Sequence, residues 1–195
     1  VLMHDEVLGR TVAGSGSVGA LSMAELQAMD AGSWFSADFS GERVPSFSEA
    51  AEYCLRASLF MNVEIKPLAG EEARTGQLVA QACKSLPTGS VLLSSFSIEA
   101  LKAAMSTAPD VPRALLVAAI PSDCLAKLSA LSALALHAQA KQLTAEQVRA
   151  VKAAGYGVFC YTVNDPMQAR TLFAMGVDAI CTDRLDLIGP DFFGR

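Results

Sequence analysis

From Ser46 onward, short apolar runs alternate with stretches of helical periodicity, and this alternation narrows the possible folds more than any other feature of the chain. The apolar runs are 60–65, 91–95, 114–117, 134–138, 157–163 and 179–182. They are rich in Val, Ile, Leu and Phe without strict polar alternation, which is the pattern of parallel strands buried on both faces. Strand following helix in regular order predicts an α/β chain with a parallel sheet and right-handed crossovers, either open or curled into a barrel. The helix starts are readable too. Ser46 with Glu49 and Thr144 with Gln147 have capping-box spacing, and Asp165-Pro166 offers an N-cap followed by a proline at the first helical position. Val148 and Val151 share one helical face, and Gly155 is placed to end that helix.

The first 45 residues read differently. Residues 1–3 look like the end of a strand, 9–19 form a glycine- and serine-rich excursion, and Ser22 with Glu25 begins a short helix stapled by Leu21 and Leu26. Residues 31–45 show no periodicity. This part reads as a loop-rich insertion.

Composition removes several classes of function. With 52% hydrophobic and 18% charged residues the chain is not disordered, and its 195 residues can bury a substantial core. A formal net charge of −5 leaves no electrostatic footprint for a nucleic-acid backbone, and no apolar run reaches membrane-spanning length. The five cysteines (Cys54, Cys83, Cys124, Cys160, Cys181) are odd in number and widely spaced. They read as reduced, small hydrophobes and suit a reducing cytoplasm.

Gly14-Ser-Gly16-Ser-Val-Gly19 matches the dinucleotide fingerprint GxGxxG, but polar, turn-like residues precede it where a buried strand is required, so it reads as a plain turn. His4 follows an apolar start and precedes Asp5. Its near-neutral pKa suits proton transfer, although from spacing alone a lone histidine is more often a structural residue. His137 lies inside an apolar run and reads as core or pocket lining. On a strand, Asn62, Glu64 and Lys66 point the same way, and three polar groups on a buried face need a ligand or one another. The carboxylate suits a hard cation and the lysine a phosphate; a Glu–Lys pair filling a barrel end is the plainer reading. Ser94-Ser95, Thr162 with Asn164, and Thr182-Asp183 place further polar groups at strand C-terminal ends, where ligand sites of parallel α/β folds gather.

Taken in order, His4-Asp5, Leu8, Arg10-Thr11, Ser22-Met-Ala-Glu25-Leu26, Asp30-Ala-Gly-Ser-Trp34-Phe35, Gly41-Glu42, Val44-Pro45, Asn62-Val-Glu64-Ile-Lys66-Pro67, Leu92 to Phe96, Tyr161-Thr-Val-Asn164 and Gly176 to Asp183 resemble the glycerophosphodiester phosphodiesterases. The bacterial cytosolic members are nearest, sharing also the ending Ile188-Gly-Pro190. The resemblance implies a TIM (β/α)8 barrel with a small insertion, in which 1–45 would be the insertion after barrel strand 2 and 46–195 would carry strands 3–8. It further implies hydrolysis of a glycerophosphodiester to sn-glycerol 3-phosphate and an alcohol, with a divalent cation (Mg²⁺ or Ca²⁺) and two histidines as general acid and base. On that pattern His4 is catalytic, Glu64 ligates the metal, Lys66 contacts the phosphate, and Phe96 and Tyr161 line the substrate pocket.

The family's opening motifs (His-Arg-Gly, Pro-Glu-Asn and Glu-x-Asp) do not occur, so the first two barrel strands are expected to precede Val1 in the natural protein. A barrel of about 250 residues has about 31 per unit, which makes this length roughly six units. Two alternatives stand beside this reading. One is an inactive barrel that binds a phosphate compound or serves as a partner subunit; the other is a related phospholipid-cleaving phosphodiesterase.

Overall fold

The computed structural model describes residues 1–192, which divide into two compact units: Val1–Met61 with Leu68–Gly70, and Asn62–Pro67 with the chain from Glu71 onward.

The first unit is held largely by polar main-chain capping. Residues 1–3 are irregular and not a strand end, because only the Leu2 N–H finds a main-chain partner there (the Pro45 carbonyl) and one bond makes no ladder. A bridge between Val7 and Ser17 closes the glycine-rich excursion, which turns through Gly14 and Gly16 at φ +137° and +96°, a region glycine enters without steric cost. Helix α1 (Met23–Gln27) starts in the expected Ser22–Glu25 capping box, and α2 (Phe47–Arg56) in the Ser46–Glu49 box. Between them the Asp30 carboxylate accepts the N–H groups of Gly32, Ser33 and Gly41 and the Ser33 hydroxyl, organising residues whose sequence has no period. Those bonds hold its carboxyl far below the usual carboxylate range.

The second unit is the sheet. Strands β1 (Met61–Glu64), β2 (Val91–Ser95), β3 (Arg113–Val117), β4 (Ala135–Gln139), β5 (Gly157–Tyr161) and β6 (Ala179–Ile180) lie side by side in sequence order. The pairs from β2 to β6 are parallel, and the sheet curls into a half-barrel. Helices α3 (Glu72–Cys83), α4 (Ile98–Thr107), α5 (Cys124–Ala130), α6 (Ala145–Ala153) and α7 (Pro166–Ala174) connect the strands. Thr144 and Asp165 cap α6 and α7 as expected, and Gly155 follows α6 at φ +87°.

Register sorts the side chains. Leu115, Leu136 and Val158 stand in one row across the sheet and, with Ala138 and Cys160, pack against Cys124, Leu128, Val148, Val151, Ala169 and Leu172 of the helices. Each buried leucine of this core contributes about 1.5–3 kcal/mol. Gly76 of α3 lets α4 come close, since a Cβ there would stand 2.2 Å from the Ala100 carbonyl oxygen. Arg113, at the start of β3, is buried without a carboxylate. Its guanidinium donates instead to the carbonyls of Val111 (2.7 Å), Pro109 (3.1 Å), Leu131 (3.2 Å) and Ser132 (3.4 Å), which close the C-terminal ends of α4 and α5. Carbonyls at helix C-termini carry negative potential and lack helical partners, so they can solvate a cation there. Among the described residues no helix is long and apolar enough to cross a membrane.

Candidate functional site

The sheet side chains of opposite parity to the helix-facing row include Glu64, Ser94, Leu116, His137, Phe159 and Tyr161. Of the three polar residues expected on one buried strand face, Asn62 is exposed and Lys66 lies two residues past the end of β1, so only Glu64 and Lys66 are brought together. Glu64 and Lys66 lie two apart, and the Lys66 Nζ stands 2.8 Å from Glu64 Oε1, both partly exposed. Phe96, just past β2, and Tyr161, the last residue of β5, meet edge to face with centroids 6.1 Å apart. The Tyr161 hydroxyl donates to the Val117 carbonyl at 2.9 Å, which fixes the ring at the C-terminal end of the sheet. Burial first and the Glu64 charge second push the Tyr161 pKa up, and the Cys181 thiol is pushed up by burial, Asp183 and Glu64. Glu64 therefore shares this end of the sheet with both residues.

Asn164 ties the last two strand ends together. Its Nδ2 donates to Asp183 Oδ2 at 2.9 Å, while its Oδ1 accepts the Asp183 N–H and the Thr182 hydroxyl. The paired serines of β2 divide. Ser95 Oγ donates to the Ile65 carbonyl at 2.7 Å, whereas Ser94 Oγ is buried without a partner.

In the first unit His4 is exposed and held by a polar cluster that sequence reasoning missed. Its Nδ1 lies 2.7 Å from Asp5 Oδ1, and Arg10 donates to both Asp5 oxygens at 2.6 and 2.9 Å. Arg10 and His4 together hold the Asp5 carboxyl far below the usual range, Arg10 contributing most. A carboxylate on Nδ1 assigns the proton to that nitrogen and leaves Nε2 to act. Because the chain there is irregular, no period announces the cluster; only the closeness of His4, Asp5 and Arg10 in sequence hints at it.

His137 lines the sheet face as expected for core or pocket lining, 4% exposed, with its ring 4.5 Å from Phe159 and Nδ1 unpartnered. Burial pushes its pKa down to about 4, so it is neutral at pH 7. Cys83 and Cys160 are pushed up to about 11 and 12 by burial, which makes them inert hydrophobes. The GxGxxG lookalike is the turn already described, with Ser17 Oγ accepting the Gly19 N–H.

The donor set does not fit a divalent cation by itself. Among the described residues no group of three His, Cys, Asp or Glu side chains could hold a metal ion, and the single carboxylate of Glu64 is engaged by Lys66. Hard cations take six or more oxygen ligands.

Comparison with known proteins adds three findings. The model of the glycerophosphoryl diester phosphodiesterase family matches residues 1–187. YhdW of Bacillus subtilis is 30% identical over 198 residues, covering 98% of this chain and 79% of its own, and a Bacillus subtilis glycerophosphodiester phosphodiesterase is 29% identical over 206 residues, covering 96% and 70%. Among solved structures, an Oleispira antarctica phosphodiesterase in complex with the product sn-glycerol-3-phosphate is similar at 35% identity and a TM-score of 0.89, covering 93% of this chain and 74% of that one.

Proposed function

The chain belongs to the glycerophosphoryl diester phosphodiesterase family, and from that premise we propose that it hydrolyses glycerophosphodiesters to sn-glycerol 3-phosphate and an alcohol. The observation that carries this reading is the Glu64–Lys66 pair beside the Phe96–Tyr161 rings at the C-terminal end of a parallel sheet, the end where active sites of (β/α)8 barrels form. The six strands are read as six of the eight of such a barrel. The likeness to a phosphodiesterase holding sn-glycerol-3-phosphate supports the substrate class.

Lys66 binds the phosphate and offsets the charge that builds on its oxygens in the transition state. Glu64 orients the ammonium group through their ion pair. Phe96 and Tyr161 flank the substrate and exclude water. His4 acts as general acid in its imidazolium form, with Asp5 holding the Nδ1–H: as a water oxygen bonds to phosphorus and releases its proton to solvent, the phosphorus–oxygen bond to the alcohol breaks and the Nε2 proton passes to the leaving alkoxide.

The test is release of glycerol 3-phosphate from a panel of glycerophosphodiesters. Release is expected, and His4→Ala lowers turnover by about 10²-fold or more. A protein that releases none, or a His4→Ala variant with unchanged kinetics, overturns the reading. That no group of three His, Cys, Asp or Glu side chains is placed to hold a cation among the described residues favours a second reading, a phosphate-ligand binder without turnover. It predicts glycerol 3-phosphate binding with no hydrolysis.

A further inference from the structure

Two buried polar atoms of the described residues have no hydrogen-bond partner, Ser94 Oγ and His137 Nδ1, and both lie on the sheet face that carries Glu64 and Tyr161. Buried polar groups are almost always paired, so two orphans on one face call for a common explanation.

Their heights in the fold supply it. The Ile65 N–H donates to the Ser94 carbonyl, which sets Glu64 opposite Ser94, and the register continues through Ala114, Ala135 and Gly157. In a (β/α)8 barrel neighbouring strands stagger by about one residue, so side chains of alternate strands share a layer. Counting up from Glu64 on that stagger reaches Leu116 on β3 and Tyr161 on β5. The rise of the Tyr161 pKa under the Glu64 charge agrees with that shared layer. Ser94 on β2 and His137 on β4 then fall together in the layer immediately beneath. Barrel interiors at that depth are ordinarily filled by Val, Ile and Leu.

We propose that Ser94 and His137 form a polar floor beneath the phosphate-binding Lys66 and Glu64, and that this floor takes a hydroxyl group of the substrate's glycerol moiety. The inference rests on the functional reading above. A hydroxyl donates one hydrogen bond and accepts two, and a serine hydroxyl with a neutral imidazole can supply both kinds of partner. The phosphate, being anionic, belongs with the lysine and not with a neutral floor. His137 is held for this task by the Phe159 ring at 4.5 Å, and Ser94 by a fully buried strand.

Inhibition by glycerol 3-phosphate and by inorganic phosphate separates the two arms of the ligand. In the full-length protein, Ser94→Ala and His137→Phe should each weaken inhibition by glycerol 3-phosphate about tenfold, a loss of one hydrogen bond, while inorganic phosphate inhibits as before. KM for the diester should rise by a similar factor with kcat changing less, and His137→Gln should restore part of the loss. Equal weakening of both inhibitors, or glycerol 3-phosphate inhibition unchanged in either variant, overturns the floor. Should His137→Phe fail to fold, shown by its thermal melt, the smaller Ser94→Ala change decides. A wild-type protein that neither hydrolyses diesters nor binds glycerol 3-phosphate overturns the functional reading, and the floor with it.

Discussion

The two histidines of this chain sit in regions built by different physics. Around His4 the chain has short helices and few buried apolar residues (Val12, Leu26, Val44 and Ala51 among them), and shape is held by carboxylates and hydroxyls capping main-chain N–H groups. Around His137 a continuous apolar core sets every position through strand register. Where a core does the holding, a side chain's place follows from its parity. Where caps do the holding, it follows from individual hydrogen bonds and can be lost one bond at a time.

The sharpest way to break that contrast is to attack a buried place where the sheet region relies on polar bonds. Arg113→Met keeps the stem and removes the guanidinium from its carbonyls, and should cost about 2–4 kcal/mol by denaturant unfolding. A loss near zero would mean water replaces the arginine freely.

His137 gives the contrast a pH signature. Its folded pKa, about 4, lies below the unfolded value near 6.5, so between those limits the unfolded chain binds more protons. Stability should therefore fall as pH drops from about 6.5 to about 4, by about 3 kcal/mol in total from this residue, and His137→Phe should remove that slope. The slope persisting in the variant would assign it to other groups.

On the catalytic side Asp5→Asn should lower kcat about tenfold while leaving the melting temperature near wild type, since the carboxylate acts by orienting His4 at an exposed site. The smallest expected effect is at a cap. Ser46→Ala, which removes one half of the α2 capping box, should cost about 1 kcal/mol, read by thermal melting.

The same contrast explains how much was legible beforehand. Strand β2 matches its predicted run to the residue, because buried parallel strands announce themselves by unbroken apolar sequence. Strands β5 and β6 stop short of theirs, at Tyr161 and Ile180, although the Val163 N–H still reaches the Cys181 carbonyl; the polar residues there turn to capping one another. Glu64 and Lys66 could be grouped from strand period, whereas Phe96 and Tyr161 joined them only through the family resemblance. The bonding of His4 to Asp5 and Arg10 could not, since irregular backbone offers no period to read. Arg113 was hidden for a different reason: a buried charge solvated by carbonyls leaves no acidic partner in the sequence to find. Nor could parity be assigned within Ser94-Ser95 until the register showed one hydroxyl bonded to Ile65 and the other without a partner.

The chain's route between its two units has a consequence for cleavage. Residues 62–67, which carry Glu64 and Lys66, belong to the sheet, yet 68–70 return to the first unit, where Leu68 closes against Gly19. A protease that nicks the 61–62 link would separate two polypeptides on a denaturing gel, yet the larger fragment would still own three residues of the first unit's packing. The boundary between the units is thus not a single point on the chain, and no one cut divides them.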